Sequence, residues 1–434
     1  MRYVFLAILF LNLGVDAQEV GSLQKFDAYF ADSSLGAVQS KESAHFKVSW
    51  VHPRDGLIAE RLLKYMEAAR ESLKSKFSLA MSETKKAPVE IYPNLRAFSD
   101  VSLLALSRFR ATGTIALTLD QRLMILSPRN LSGGYSWAET VVHEYIHYMI
   151  REISTSYVPI WLHEGVAQLF QEYPRNLVAH LKPSQWGLFK KRRKANALLN
   201  LKTLQEPFPY RETPEEAELA YIQALLFVQW LDQKCGAVNL IVTAKKMKSI
   251  EKALGDCSGM PYESLETSFV SKIMNSVSVP TSSDVEFYAR NFDQSDPMEL
   301  EGRKADKSAQ NLAQLSEELF NQGRYRASGI EMHKALQAAV VSPPSWRRHL
   351  ALSLNKSGQA KKTKEVLEAL LKDYPTDAAA WMLMGELDLK RQDERAAYLA
   401  FLEAFYQNPF LEDLESKLSQ LSQKHPDFEK IILP

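Results

Sequence analysis

The chain has 434 residues, 46% hydrophobic and 24% charged, with 53 basic against 52 acidic side chains and a formal net charge of +1. That length supports two or three domains with separate cores. The charge balance excludes the strongly basic field of a nucleic-acid binder, so no nucleic-acid partner is expected, and it gives no sign of a strongly acidic one.

The N-terminus reads "MRYVFLAILFLNLGVDAQEV". Arg2, the apolar run Tyr3–Leu13 and a small-residue pattern ending at Ala17 are the three parts of a secretory signal peptide, which we place at residues 1–17. The run is too short to span a bilayer. No cysteine lies near the cleavage point, which disfavours a lipid anchor. No later stretch approaches membrane length. The mature chain is therefore expected to be exported, periplasmic or secreted, with no integral membrane segment after signal cleavage. Its two cysteines, Cys235 and Cys257, allow either one disulfide or two buried thiols.

Residues 18–275 alternate in type. "AHFKVSWV" (Ala44–Val51) alternates as a strand does. "GLIAERLLKYMEAARESLKSKF" (Gly56–Phe77) has apolar residues at helical spacing. "APVEIYP" (Ala87–Pro93) is a short β-rich run, and "GTIALTLDQRLMILSP" (Gly113–Pro128) reads as a hairpin turning near Asp120 and Gln121. Two helical segments follow in His143–Phe170, broken by "STSYVP". "KKRRK" (Lys190–Lys194) reads as a solvated helix face or a contact for an anionic surface. "ETPEEAELAYIQALLFVQWLDQK" (Glu212–Lys234) opens with Thr213, Pro214 and acidic residues, a helix-start signal. This order predicts an α+β domain with helices on a small sheet.

Residues 276–307 are richer in Ser, Pro and Asp and read as a linker. Beyond it the chain repeats. Trp346 and Trp381, and Gly323 and Gly358, recur at 35 residues; Ala335, Ala369 and Ala404, and Pro375 and Pro409, recur at 34 or 35. Two helices per unit at this period resemble tetratricopeptide repeats. Three units fit, at about 308–342, 343–376 and 377–410, with Leu411–His425 as a capping helix. Residues 308–425 are thus expected to form an all-α solenoid, a scaffold that binds segments of other proteins.

The chemistry sits in "HEYIHYMIREISTSYVPIWLHEGVAQLF". His143 and His147 stand at i and i+4, so on a helix both rings project from one face and can hold one ion. Glu144, beside the first histidine, can reach a water on that ion. A catalytic zinc site needs a third protein ligand and one open position. Glu164 follows His147 after sixteen intervening residues, on a second helix that the "STSYVP" break allows to fold back. Pro159 suits the start of that helix, and Gly165 removes a side chain where helices must approach closely.

H-E-x-x-H followed by W-L-x-E-G-x-A resembles the gluzincin branch of the MA clan of zinc metallopeptidases, in its small peptidase MA-like form. The resemblance extends from about Ala44 to Met274 and implies a zincin-like fold. It implies His143, His147 and Glu164 as ligands of Zn2+ and Glu144 as general base. The metzincin pattern would need Gly at position 150 and His at 153, and both are Ile. His163 and Glu164 are adjacent, so their side chains point about 100° apart on a helix; the family motif favours Glu164. His163 is then a donor behind the ligands or an exposed residue.

The implied chemistry is peptide-bond hydrolysis. Zinc lowers the pKa of a water and polarises the carbonyl, while Glu144 takes the proton and passes it to the leaving amine. Tyr221 is the candidate oxyanion donor, because the family carries a Tyr-containing helix here; otherwise it is a core tyrosine. An edge strand, either "RLMILSP" (Arg122–Pro128) or "GTIAL", is expected to pair with extended substrate. Glu139, one turn before His143, is the candidate partner for a ligand imidazole. An aminopeptidase is disfavoured, since no G-x-M-E-N motif occurs. The sequence thus predicts an exported zinc endopeptidase acting on a peptide or protein substrate, its repeats binding substrate or a protein partner. The alternatives are an adaptor using the repeats, with a metal-stabilised and catalytically silent zincin domain, and a hydrolase for a non-peptide amide such as a cell-wall bridge.

Overall fold

A computed structural model describes residues 26–31, 36–102, 106, 114–131, 133–154, 158–175, 177–206, 208, 211, 213–282, 285–286, 288–289, 307–339 and 343–432. The signal peptide expected at 1–17, the centre of the "STSYVP" break and most of the expected linker lie outside these residues. After α1 (Phe26–Phe30) come β1 (Gln39–Glu42), β2 (Phe46–Trp50) and α2 (Gly56–Phe77). Then follow β3 (Ala87–Tyr92), α3 (Leu95–Ser102), β4 (Ala116–Leu119) and β5 (Arg122–Leu126). The sheet order is β1-β2-β3-β5-β4. The three central strands run parallel, and each edge strand pairs antiparallel with its neighbour.

Helix α2 spans the residues expected from its apolar spacing. It buries Ile58, Leu62, Tyr65, Met66, Ala69, Leu73 and Phe77 and packs on the sheet at β2. The β4–β5 hairpin turns at Asp120 and Gln121, with φ of 48° and 58°. Two successive left-handed residues give the turn whose twist matches a two-residue hairpin. β1 has no counterpart in the sequence reading. Its "QSKE" is exposed throughout, so it shows no alternation, and edge strands tolerate such polarity.

The middle of the chain is helical: α4 (Trp137–Ile153), α5 (Ile160–Phe170), α6 (Pro183–Lys194), α7 (Pro214–Cys235), α8 (Ala237–Met247), α9 (Ile250–Ser258) and α10 (Tyr262–Ser268). Thr213 caps α7, its hydroxyl accepting from the Glu216 N–H at 3.1 Å. Cys235 and Cys257 form a disulfide that ties the end of α7 to α9. The basic run on α6 is largely paired within the protein. Lys190 meets Glu286, Arg192 donates to Glu215, and Arg193 donates to the Val277 carbonyl.

The C-terminal part holds three antiparallel helix pairs: α11 (Lys307–Asn321) with α12 (Tyr325–Ala338), α13 (Pro344–Lys356) with α14 (Ala360–Asp373), and α15 (Ala378–Lys390) with α16 (Glu394–Gln407). A further helix, α17 (Leu414–Lys424), follows. Gly323 and Gly358 turn the first two pairs at φ of 75° and 79°, the left-handed conformation that glycine adopts without strain. In the third pair Gln392 takes that role at φ 63°.

The pairs differ in what they pack against. One small core around Met332 and Leu350 joins the first pair to α13, and another around Leu367 and Leu387 joins the second pair to α15. Helix α16 instead puts Tyr398, Phe401, Leu402, Phe405 and Tyr406 into the core that contains the sheet. The fit is close. A Cβ at Gly134, just before α4, would overlap Asn408 and the Gln407 carbonyl. Trp137 Nε1 donates to the Phe405 carbonyl at 2.8 Å, and the Tyr65 and Tyr406 rings meet edge-on at 4.7 Å.

Candidate metal centre

Helix α4 is buried continuously from Trp137 to Ile150, so its polar residues stand at core depth. His143 and Glu144 are 1% exposed and His147 is fully buried. Helix α5 brings Glu164, also 1% exposed. It can lie so close to α7 because of Gly165, where a Cβ would overlap Val228 and the Ala224 carbonyl.

Three ligand-type atoms form a compact triangle. His147 Nε2 lies 3.2 Å from His143 Nε2, and Glu164 Oε2 lies 3.5 Å from His143 Nε2 and 3.6 Å from His147 Nε2. Two nitrogens each 2.0–2.1 Å from a tetrahedral zinc would be about 3.3 Å apart, so the triangle has the dimensions of a ligand face. His143, His147 and Glu164 form the one such metal-binding group among the described residues.

Electrostatics point the same way. Glu164 Oε2 is buried and makes no hydrogen bond among the described residues, an arrangement that costs free energy unless a cation completes it. Burial works against ionising Glu164, yet His147 and His143 outweigh it and hold the carboxyl below its usual range. Burial also opposes charging His143, but Glu164 lifts that imidazole above its ordinary value; at His147 burial dominates and lowers it. The cluster therefore favours an ionised Glu164 and a neutral His147, as metal ligation requires. Glu164 draws His143 toward the protonated form, so that an arriving cation would displace a proton there.

Glu144 occupies a different setting. Thr118 Oγ1, on edge strand β4, lies 2.7 Å from Glu144 Oε2 and 2.8 Å from the Glu144 backbone oxygen. Burial pushes this carboxyl up to about 7, with His143 and the Thr118 hydrogen bond acting in the opposite sense. A carboxyl poised near neutrality suits proton exchange.

Two site expectations change in detail. Glu139 does not support a ligand: its carboxylate pairs with Arg175, which also pairs with Glu403 on α16. The partner of His143 Nδ1 is instead Gln171 Oε1, at 2.8 Å, which leaves Nε2 to face the triangle. His163 is not exposed; it is 1% accessible, its ring centroid is 6.0 Å from that of His147, and its Nδ1 has no hydrogen-bond partner among the described residues. Burial, aided by the His147 and Arg151 charges, holds it well below the usual histidine range.

Tyr221 is buried on α7 with no partner for its hydroxyl among the described residues, although a core tyrosine usually finds one. Burial raises this phenol, and the charges of Glu164 and Glu144 raise it further. A cavity alongside is lined by Gln168, Gln171, Glu218 and Tyr221, and also by Pro375 and Thr376, between the second and third helix pairs.

Residues 69–275 match the family model of the Peptidase MA superfamily. No curated protein sequence matches the chain. Among solved structures, native leukotriene A4 hydrolase from Saccharomyces cerevisiae is 11% identical with a TM-score of 0.32, covering 91% of this chain and 66% of its own. The yeast hydrolase in complex with bestatin is 11% identical at 0.33, covering 92% of this chain and 66% of its own. The TPR domain of P58(IPK) is 12% identical at 0.27, covering 85% of this chain and 99% of its own. The chain thus spans 66% of the length of the hydrolases it resembles. The family match, together with the ligand triangle, supports a metallopeptidase-type function.

Proposed function

We propose that this protein is an exported zinc-dependent endopeptidase of the gluzincin type, with His143, His147 and Glu164 as zinc ligands and Glu144 as general base. The observation that carries this reading is the triangle of two imidazole nitrogens and one carboxylate oxygen with Glu144 intact beside it. The donor set of two nitrogens and one oxygen suits zinc, and three protein ligands leave a position for reaction. A zinc ion held there would lower the pKa of a water and polarise a substrate carbonyl.

The chain's own groups supply the rest. Glu144 accepts the proton from the attacking water and delivers it to the amine nitrogen as the C–N bond breaks. The free hydroxyl of Tyr221 donates to the oxygen that gains charge. Of the two strands expected to hold extended substrate, only β4 lies at the sheet edge. Because its residues are buried, a peptide would pair with it only once that edge is uncovered. The helix pairs serve as a binding surface for substrate or a protein partner. No helix among the described residues is long and apolar enough to cross a membrane. The Cys235–Cys257 disulfide is in keeping with an oxidising, exported location.

A second reading has its own support. The ligands and Glu144 are each at most 1% exposed, which favours a metal-stabilised but silent domain in an adaptor. Zinc content measured by mass spectrometry, paired with cleavage of an unstructured protein by wild type and Glu144→Gln, separates the two. Stoichiometric zinc in both and cleavage only by wild type support the peptidase. Zinc in both and cleavage by neither supports the adaptor.

A further inference from the structure

We propose that Thr118 is a positioning residue for the general base: it fixes the plane of the Glu144 carboxyl by holding Oε2 against the sheet. This rests on the reading of Glu144 as the base. Thr118 is 1% exposed and stands opposite Leu123 in the register of β4 and β5. Every residue of β4 is buried, and a hydroxyl at such a place costs stability unless it is bonded. Valine would fill the same volume without that cost. The hydroxyl is used, at 2.7 Å from Oε2 and 2.8 Å from the backbone oxygen of the same glutamate.

The two contacts tie the edge strand to both ends of one residue. Threonine is β-branched and stiff at χ1, so its oxygen is held where the strand places it. A hydroxyl has one proton, shared here between two acceptors that belong to Glu144 alone. With Oε2 so committed, Oε1 is the oxygen left to take the proton from water and release it to the amine. Oε2 accepts from Thr118 whether or not Oε1 is protonated, so the carboxyl has no need to swing between the two halves of the reaction. The contact to the backbone oxygen would suffice to pack strand on helix; the contact to the side chain is the one that serves the base.

The test compares Thr118→Val and Thr118→Ser with wild type and Glu144→Gln on one peptide substrate, alongside zinc content and melting temperature. Thr118→Val is expected to lower kcat about 10- to 100-fold, the scale of a misplaced reacting group, with KM within about twofold. Its zinc content should stay at the wild-type value, since Thr118 touches no ligand. Thr118→Ser should recover most of kcat. Wild-type kcat in Thr118→Val, failure of serine to rescue, or a loss confined to KM or to zinc content overturns the proposal while leaving the function standing. A wild type no more active than Glu144→Gln overturns the functional reading and this proposal with it.

Discussion

Helix α4 carries two buried polar clusters one turn apart, and they differ in how fully the protein satisfies them. At the Glu139 end, Arg175 bridges Glu139 and Glu403, and Ser136 bonds to Gln407. Arg175 Nε, Gln407 Nε2 and the Tyr65 hydroxyl are left over there, but both carboxylates are paired. At the His143 end, Glu164 Oε2, His147 Nδ1, His163 Nδ1 and the Tyr221 hydroxyl all lack hydrogen-bond partners among the described residues. Buried polar groups are ordinarily paired. A cluster that closes on protein atoms holds elements together, whereas one that stays open around a ligand triangle is arranged for something the chain itself does not provide.

If that contrast holds, substitutions at the two ends fail in different ways. The largest effect on chemistry is expected for Glu144→Gln, a loss of about 10³-fold or more in kcat with zinc retained, read by peptide cleavage and metal analysis. The largest effect on stability is expected for Arg175→Met. It strands two buried carboxylates and should cost about 3–5 kcal/mol in urea unfolding, with no change in zinc stoichiometry of the folded protein. Zinc loss in that variant would break the distinction between the clusters.

Gln171→Leu should do the reverse. It removes the acceptor that fixes His143 and should weaken zinc binding about 10–100-fold, measured by competition with a chelator, with little effect on unfolding. The smallest effect concerns pH. Burial raises the Glu403 carboxyl to about 6 from its ordinary 4.5, against the pull of Arg175. A raised carboxyl contributes stability that is fully present below 4.5 and lost as pH rises through about 6. Wild type should therefore gain stability relative to Glu403→Gln when urea titrations move from pH 7 to pH 5.

The sequence carried the local part of this arrangement. Helix α2, the hairpin turn and the HEYIH spacing were legible because each depends on a short-range period or on turn residues. What was not legible depends on distant partners. Thr118 meets Glu144 across 26 residues and Gln171 meets His143 across 28, and neither belongs to a local pattern. Glu139 was misassigned because one-turn spacing suggests nearness to His143, while Arg175, 36 residues on, takes its carboxylate. Gln392 escaped the repeat pattern because a glutamine, not a glycine, makes that turn. For His163 the sequence allowed a donor behind the ligands or an exposed residue, and the packing of α5 buries it.

The fusion of α16 with the core of the sheet also bears on when this site comes into being. Chains usually fold from the N-terminus as they are made, but here the wall against which Trp137 and Tyr65 pack is encoded more than 250 residues after Trp137. The helix bearing His143 and Glu144 cannot complete its surroundings on the ribosome until Gln407 has emerged. Under the proposed export and hydrolysis, that late closure would amount to a timer. The surroundings of the ligand helix are complete only after the far end of the chain has arrived.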